Sequence, residues 1–190
     1  KYKKKSLPFV TAKLAISKDY YTINKKKKWI TNKFSRGRVH LIRSNHDCIV
    51  TSSKTIIEDN PRLTCRIDGL FDRSPSRIIL DKRFSIPLSS NIIKDAKKKR
   101  TIIFYNKKNI SKIKYLKRLK IKTFHIPLNK QGDLDLIKVL IKIKKLGFYR
   151  ILVEAGIKLT SNFLKENLVD DFKLFISNNN LGKQGDGNIR

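Results

Sequence analysis

Methionine is missing from this chain altogether, even at position 1, and acidic side chains are scarce: 15 aspartates and glutamates stand against 45 lysines and arginines in 190 residues. The first absence leads us to expect that these residues are part of a longer polypeptide. Cysteine is limited to Cys48 and Cys65, seventeen positions apart and without close partners. That excludes a disulfide framework and a zinc site of four cysteines, and it makes a reducing, cytoplasmic setting the expectation. No apolar run approaches the roughly 18 residues of a membrane span, and no charged-then-apolar leader opens the chain.

What is present is a formal charge of +30 and a hydrophobic content of 39%. The second figure allows a real core and a single domain over residues 1–190. The first invites a nucleic-acid reading, because lysines that neutralise phosphates release counterions. The distribution argues against it. Lysine far outnumbers arginine, runs from Lys3 to Lys183, and is interleaved with isoleucine and asparagine, with no ladder of stacking aromatics. The charge is read as decoration of a solvated surface.

Residues 7–17 alternate like a half-buried strand, a first and central one, with Lys13 as the odd charge where the strand ends. A helix is predicted from the stretch after Trp29 through Arg43, with Thr31 or Ser35 as its cap. Further strands are predicted at 47–51, 77–81, 101–105, 122–126, 150–154 and 172–176. A short helix starts at Ser52 to Thr55. Asp133 caps a helix to Leu146, which Gly147 stops. Another helix follows Ala155-Gly156 and carries Leu159, Phe163 and Leu164, and a polar tail ends the chain. Short apolar strands alternating with helices predict a three-layer α/β domain with a largely parallel sheet and helices on both faces. Ligands of such sheets sit at the carboxyl ends of the strands, where residues 13–17, 51–55 and 154–156 fall.

The loop Asp59-Asn60-Pro61-Arg62-Leu63-Thr64-Cys65-Arg66 is not explained by generic folding needs. An acid, a turn-forming Asn-Pro and arginines in one short loop suit an anionic ligand. Arg36, His40 and Arg43 share one helical face that can look toward this loop. Strand, Glu154-Ala155-Gly156, then helix is a way to hold a phosphate on backbone amides.

The ordered set Lys13-Leu14-Ala15-Ile16-Ser17-Lys18-Asp19, Trp29-Ile30-Thr31, Ser35-Arg36 with His40 and Arg43, Thr55, Asp59-Asn60-Pro61 with Leu63-Thr64 and Arg66, Glu154-Ala155-Gly156 and Leu168-Val169-Asp170 resembles the reductase domain of the bifunctional riboflavin-biosynthesis deaminase/reductase. The likeness runs over residues 7–182 and is densest from Trp29 to Arg66. It implies a dihydrofolate-reductase-like fold and NADPH-dependent reduction of 5-amino-6-(5-phosphoribosylamino)uracil to its ribitylamino product, hydride arriving at C1′ of the opened sugar imine. By resemblance the cofactor meets Ala15, Trp29, Thr55, Asp59, Lys82 and the run Gly156, Ile157, Lys158, Leu159, Thr160, Ser161 and Asn162. The substrate meets Arg43, the Leu63 backbone, Arg66, Glu154 and Lys27, which stands where a serine is usual. Two guanidiniums gripping one phosphate would hold the imine in reach, with Lys13 or Asp59 handling the accompanying proton. Lys82, in place of another common serine, favours the extra phosphate of NADPH.

The chain departs from the family in its Lys25-Lys26-Lys27-Lys28 loop and in Tyr20, which replaces a glycine. The zinc deaminase signature, His-x-Glu followed by Pro-Cys-x-x-Cys, is nowhere in the chain, so no metal site is expected and deamination is assigned to a separate N-terminal domain. The family's closing strands after Gly182 are expected to be absent. The expected partners are the phosphorylated pyrimidine, that deaminase domain and a second copy in a homodimer. Two alternatives stand beside the enzyme: a degenerate module that binds NADPH without turnover, and a basic nucleic-acid binder.

Overall fold

The computed structural model describes residues 7–26 and 29–189. In chain order the elements are β1 (Phe9–Ile16), β2 (Tyr21–Asn24), α1 (Lys33–Ser44), β3 (Cys48–Ser52), α2 (Ser53–Asp59), β4 (Ser76–Leu80), α3 (Asn91–Lys94), β5 (Thr101–Tyr105), α4 (Ile110–Arg118), β6 (Lys122–His125), α5 (Leu136–Lys145), β7 (Arg150–Glu154), α6 (Ile157–Lys165), β8 (Asp171–Ile176) and β9 (Gly185–Asn188).

Seven strands form one sheet in the order β6-β5-β4-β3-β7-β1-β8, and every pairing in it is parallel. The chain walks outward from β3 to β6, then returns to insert β7 between β3 and β1. β1 therefore stands one place in from the edge strand β8 and is not central as expected. A parallel sheet is covered on both faces, which is why β5 is buried at all five positions. On one face Val139, Leu140 and Ile143 of α5 and Phe163 of α6 pack with Val50, Ile78, Ile102 and Val153. On the other, Ile56 of α2, Ile92 and Ile93 of α3 and Leu116 of α4 pack with Ile49, Ile79, Ile103 and Leu152. Each such side chain contributes about 1.5–3 kcal/mol through burial, so the two apolar layers fix the sheet between them.

Helix ends depart from expectation in instructive ways. Asn32, not Thr31 or Ser35, caps α1, its side chain accepting from the Ser35 amide at 2.9 Å. Asp135, not Asp133, caps α5 by accepting from the Lys138 amide at 3.0 Å. The apolar repeat begins at Leu136, so the cap must sit just before it, and Asp133 is left for another task. Gly147 stops the helix as expected, with φ of 89°.

The largest surprise is a second, two-stranded sheet in which β2 and β9 run antiparallel. The expected polar tail thus contains a strand. Its composition hides it, because glycine is a poor strand former, yet here glycine is required. A side chain at Gly185 would strike the Tyr21 ring, and one at Gly187, at φ of +65°, would strike the Thr22 hydroxyl. The arm is tethered by Asp19, whose carboxylate accepts from the Leu181 and Gly182 amides at 2.9 and 2.7 Å and from the Ser17 hydroxyl at 2.6 Å. Burial raises the Asp19 pKa, but these bonds outweigh it and hold it down at about 2.

Candidate active site

Because the seven strands run one way, their carboxyl ends open on one side, and a cleft of about 1130 Å³ lies there. Lys13 and Ala15 of β1, Thr55 and Asp59 of α2, Lys82 after β4, and Glu154 and Gly156 at the end of β7 all line it. Lys13 sits inside β1 rather than at its end, with β1 continuing to Ile16. It lies directly across the ladder from Glu154, and its ammonium is 5.8 Å from the Phe175 ring centroid. The β2–β9 arm closes part of the rim through Thr22, Ile23, Asn24 and Asp186.

Arg43 and Glu154 form the best-organised contact of the site. The guanidinium donates to both carboxylate oxygens, at 2.9 and 2.7 Å, and through its third nitrogen to the Thr64 carbonyl at 3.0 Å. Burial pushes the Glu154 carboxyl up, but the Arg43 charge and bonds, with Lys13 and His40 beside them, hold it below the usual range. Burial likewise opposes the Arg43 charge, and Glu154 more than restores it. Arg43 therefore differs from the expected open phosphate clamp: three of its five N–H groups are committed to the protein.

Arg66 lies on the same side of the cleft and is exposed. Its Nη2 is 3.2 Å from His40 Nε2, while His40 Nδ1 is 3.0 Å from the Thr64 carbonyl. Burial first, then the charges of Arg43 and Arg66, lower the His40 pKa, against the Thr64 bond and Glu154. The loop that presents Arg66 turns through two left-handed residues, Asn60 at φ of 43° and Leu63 at φ of 54°. The conformation is costly for leucine. It is held by burial of the Leu63 side chain, 2% exposed, and by Asn60, which accepts from the Asn91 amide at 2.8 Å. Leu63 itself lines the cleft.

Two residues beyond Glu154, α6 begins at Gly156 with no side-chain cap, and nothing lies within 4 Å of where a side chain there would start. A helix start without a side-chain cap leaves its first amides for another acceptor, the arrangement that accommodates a phosphate. Ile157, Lys158, Leu159 and Asn162 line the cleft with Gly156. Thr160 and Ser161, expected beside them, do not. Thr160 is buried and its hydroxyl donates back to the Gly156 carbonyl at 3.2 Å; helical periodicity turns it and Ser161 away from the opening. Asp133 organises this end, with Lys82 Nζ at 3.4 Å, Lys158 Nζ at 3.8 Å and Asn162 Nδ2 at 3.4 Å; Lys82 also donates to the Gly132 carbonyl at 2.7 Å. Trp29 lines the cleft with Arg36 5.3 Å above its ring. Lys27 lies outside the described residues.

Sequence reasoning missed the arm residues Thr22, Ile23, Asn24 and Asp186, and it gave His40 a place on a basic stripe without a task. The β-branched pair Thr22 and Ile23 was the one local signal for β2. Among the described residues, no group of three or more histidines, cysteines or acids can hold a metal ion, and no helix is long and apolar enough to cross a membrane.

Residues 8–189 match the family described as the RibD C-terminal domain. The riboflavin biosynthesis protein RibD of Aquifex aeolicus is 31% identical over 178 residues, covering 93% of this chain and 48% of that protein. RibD of Acinetobacter baumannii superposes with a TM-score of 0.80 at 26% identity, covering 95% of this chain and 49% of its own. A diaminohydroxyphosphoribosylaminopyrimidine deaminase/5-amino-6-(5-phosphoribosylamino)uracil reductase from Thermotoga maritima superposes with a TM-score of 0.75 at 26% identity, covering 97% and 49%. The chain spans about half the length of these relatives. The fold is accordingly the dihydrofolate-reductase-like one expected from the sequence.

Proposed function

The chain belongs to the RibD C-terminal domain family, and from that membership we propose that it reduces the ribosyl group of 5-amino-6-(5-phosphoribosylamino)uracil to the ribitylamino product, with NADPH, in riboflavin biosynthesis. The observation that carries this reading is one cleft lined by two chemically distinct sets of groups: the uncapped α6 start with Lys82 and Lys158, and Lys13, Glu154, Leu63 and Arg66.

The uncapped helix start and the open space at Gly156 fit a dinucleotide's phosphates. The residues that would hold the cofactor are Gly156, Ile157, Lys158, Leu159 and Asn162, with Ala15, Trp29, Thr55 and Asp59 along the cleft and Lys82 toward the extra phosphate. When bound, the nicotinamide supplies the hydride that C1′ of the opened sugar imine receives.

The protein's own groups do the rest. Arg66 binds the sugar's phosphoryl group, and binding energy from that remote end keeps the reacting carbon in position. Arg43 does not clamp the phosphate; it fixes the Glu154 carboxylate, which faces the ribosyl hydroxyls. As hydride reaches C1′, the imine nitrogen needs one proton to become an amine. Lys13, an ammonium beside Glu154, holds that proton at Nζ and delivers it to the nitrogen. Asp59, at the end of α2, is the alternative group for handling that proton, taking it from solvent and passing it on in its acid form.

In the longer protein, a zinc deaminase domain would supply the substrate. The apolar residues Phe172, Leu174 and Ile176, exposed along the edge strand β8, support pairing of two copies. Buried free thiols at Cys48 and Cys65 suit a reducing cytoplasm.

The test is to titrate NADPH into the purified protein while following Trp29 fluorescence, then to add the deaminated pyrimidine phosphate and follow NADPH absorbance. Binding with consumption supports the enzyme. Binding without consumption would leave a degenerate module, and affinity for any polyanion that collapses with salt would leave a nucleic-acid binder.

A further inference from the structure

Arg66 is a long, exposed side chain on an irregular loop, and among the described residues no carboxylate lies within ion-pairing distance to aim it. Left alone it would sample many rotamers, and fixing them on binding an anion would weaken affinity. Its contact is with His40. The Thr64 carbonyl, 3.0 Å from His40 Nδ1, can only accept, so Nδ1 carries the hydrogen. In the neutral ring Nε2 is then a lone pair, and Arg66 Nη2 donates to it over 3.2 Å. Thr64 belongs to the same loop as Arg66, and its carbonyl also accepts from Arg43. One imidazole thus holds both the loop backbone and the guanidinium that the loop presents.

We propose that His40 is a positioning residue that works in its neutral form to aim Arg66 at the phosphoryl group of a sugar phosphate. This deepens the proposed function and rests on it for the substrate's identity. The charged groups facing His40 are Arg43 from its own helix α1, Arg66 from the loop and Glu154 from β7. Burial and the two arginines outweigh Glu154 and favour the neutral ring, the state the geometry needs. An imidazolium would lose the lone pair and repel both guanidiniums, freeing Arg66.

Ribose 5-phosphate binding, measured by calorimetry, reads this without turnover. His40→Ala should weaken binding about tenfold at pH 8. His40→Gln should restore most of it, since its amide oxygen can replace the Nε2 lone pair; His40→Asn, too short to reach Arg66, should not. In an Arg66→Ala background, His40→Ala should have little further effect. As pH falls, wild-type affinity should drop more steeply than that of His40→Gln, the titration of the phosphate being common to both. Wild-type affinity in His40→Ala, an equal loss in the Arg66→Ala background, or no binding of ribose 5-phosphate by wild type would each overturn the inference. NADPH consumption is measured separately. If it fails while the His40 and Arg66 effects remain coupled, the reduction falls and the phosphate-aiming role stands.

Discussion

Glu154 and Arg43 meet edge to edge at the cleft wall, two bonds of 2.9 and 2.7 Å joining the last residue of β7 to the penultimate residue of α1. The pair ties the central inserted strand to the helix that also carries His40. Removing the carboxylate strands a largely buried guanidinium. Glu154→Ala should destabilise the fold by about 3 kcal/mol, the low end for a buried pair because the two side chains keep 10% and 16% exposure. Glu154→Gln should cost less, since its amide oxygen still accepts. Urea denaturation measures both, and a loss below about 1 kcal/mol for the alanine variant would show the pair to be incidental.

The same pair predicts a pH dependence. Glu154 is held below the usual carboxylate range, so its contribution to stability is present above the unfolded value, near 4.5. It is lost as pH falls through the lower folded value. Glu154→Gln should flatten this part of the acid-unfolding profile; an unchanged profile would assign the loss to other carboxylates.

Arg66→Ala removes a charged hydrogen-bond donor worth about 1.5–3 kcal/mol, which is about a 10- to 150-fold rise in KM for the phosphorylated substrate. Cofactor affinity should change little, because the proposed cofactor residues do not include Arg66. A matching loss of NADPH affinity, seen by Trp29 fluorescence, would mean that Arg66 serves the cofactor instead.

Lys82 should set cofactor preference. Lys82→Ala is expected to lower the ratio of NADPH to NADH affinity by about tenfold, or about 1.4 kcal/mol. The Gly132 carbonyl and Asp133 now hold its ammonium at the cleft edge. An unchanged ratio would make Lys82 a purely structural strut.

The β2–β9 arm should depend on its glycines and on Asp19. Gly187→Ala combines an unfavourable φ of +65° with a clash against Thr22, and should free the arm and change the surroundings of Trp29. Asp19, with its pKa held at about 2, keeps its tether intact above the ordinary value of 3.8 and releases it as pH falls toward 2. Amide hydrogen exchange at Leu181 and Gly182 should quicken in that window, and at neutral pH in Asp19→Ala. Slow exchange in both would show that the arm is held from elsewhere.

Which parts of this molecule the sequence disclosed follows from physics. Strands such as Thr101–Tyr105 are apolar on both faces, so burial in a parallel sheet dominates their residue choice and they read clearly. The strand ends carrying Lys13, Thr55 and Glu154 were legible for the same reason, since parallel strands place their carboxyl ends together. What stayed hidden depends on tertiary partners. Gly185–Asn188 has no intrinsic strand preference and becomes β9 only against Tyr21 and Thr22. Asp133 and Asp135 are equivalent caps until the position of Leu136 decides between them. The engagement of Arg43 by Glu154, 111 residues away, cannot be read from spacing at all.

The central claim is that this cleft delivers hydride to a sugar carbon, and isotope transfer tests it most directly. NADPH carrying deuterium at both C4 positions of the nicotinamide is incubated with the protein and the deaminated pyrimidine phosphate, and the product is read by mass spectrometry and NMR. One deuterium at C1′ of a ribityl chain is the predicted result. Bound cofactor whose label never leaves the nicotinamide would contradict the account.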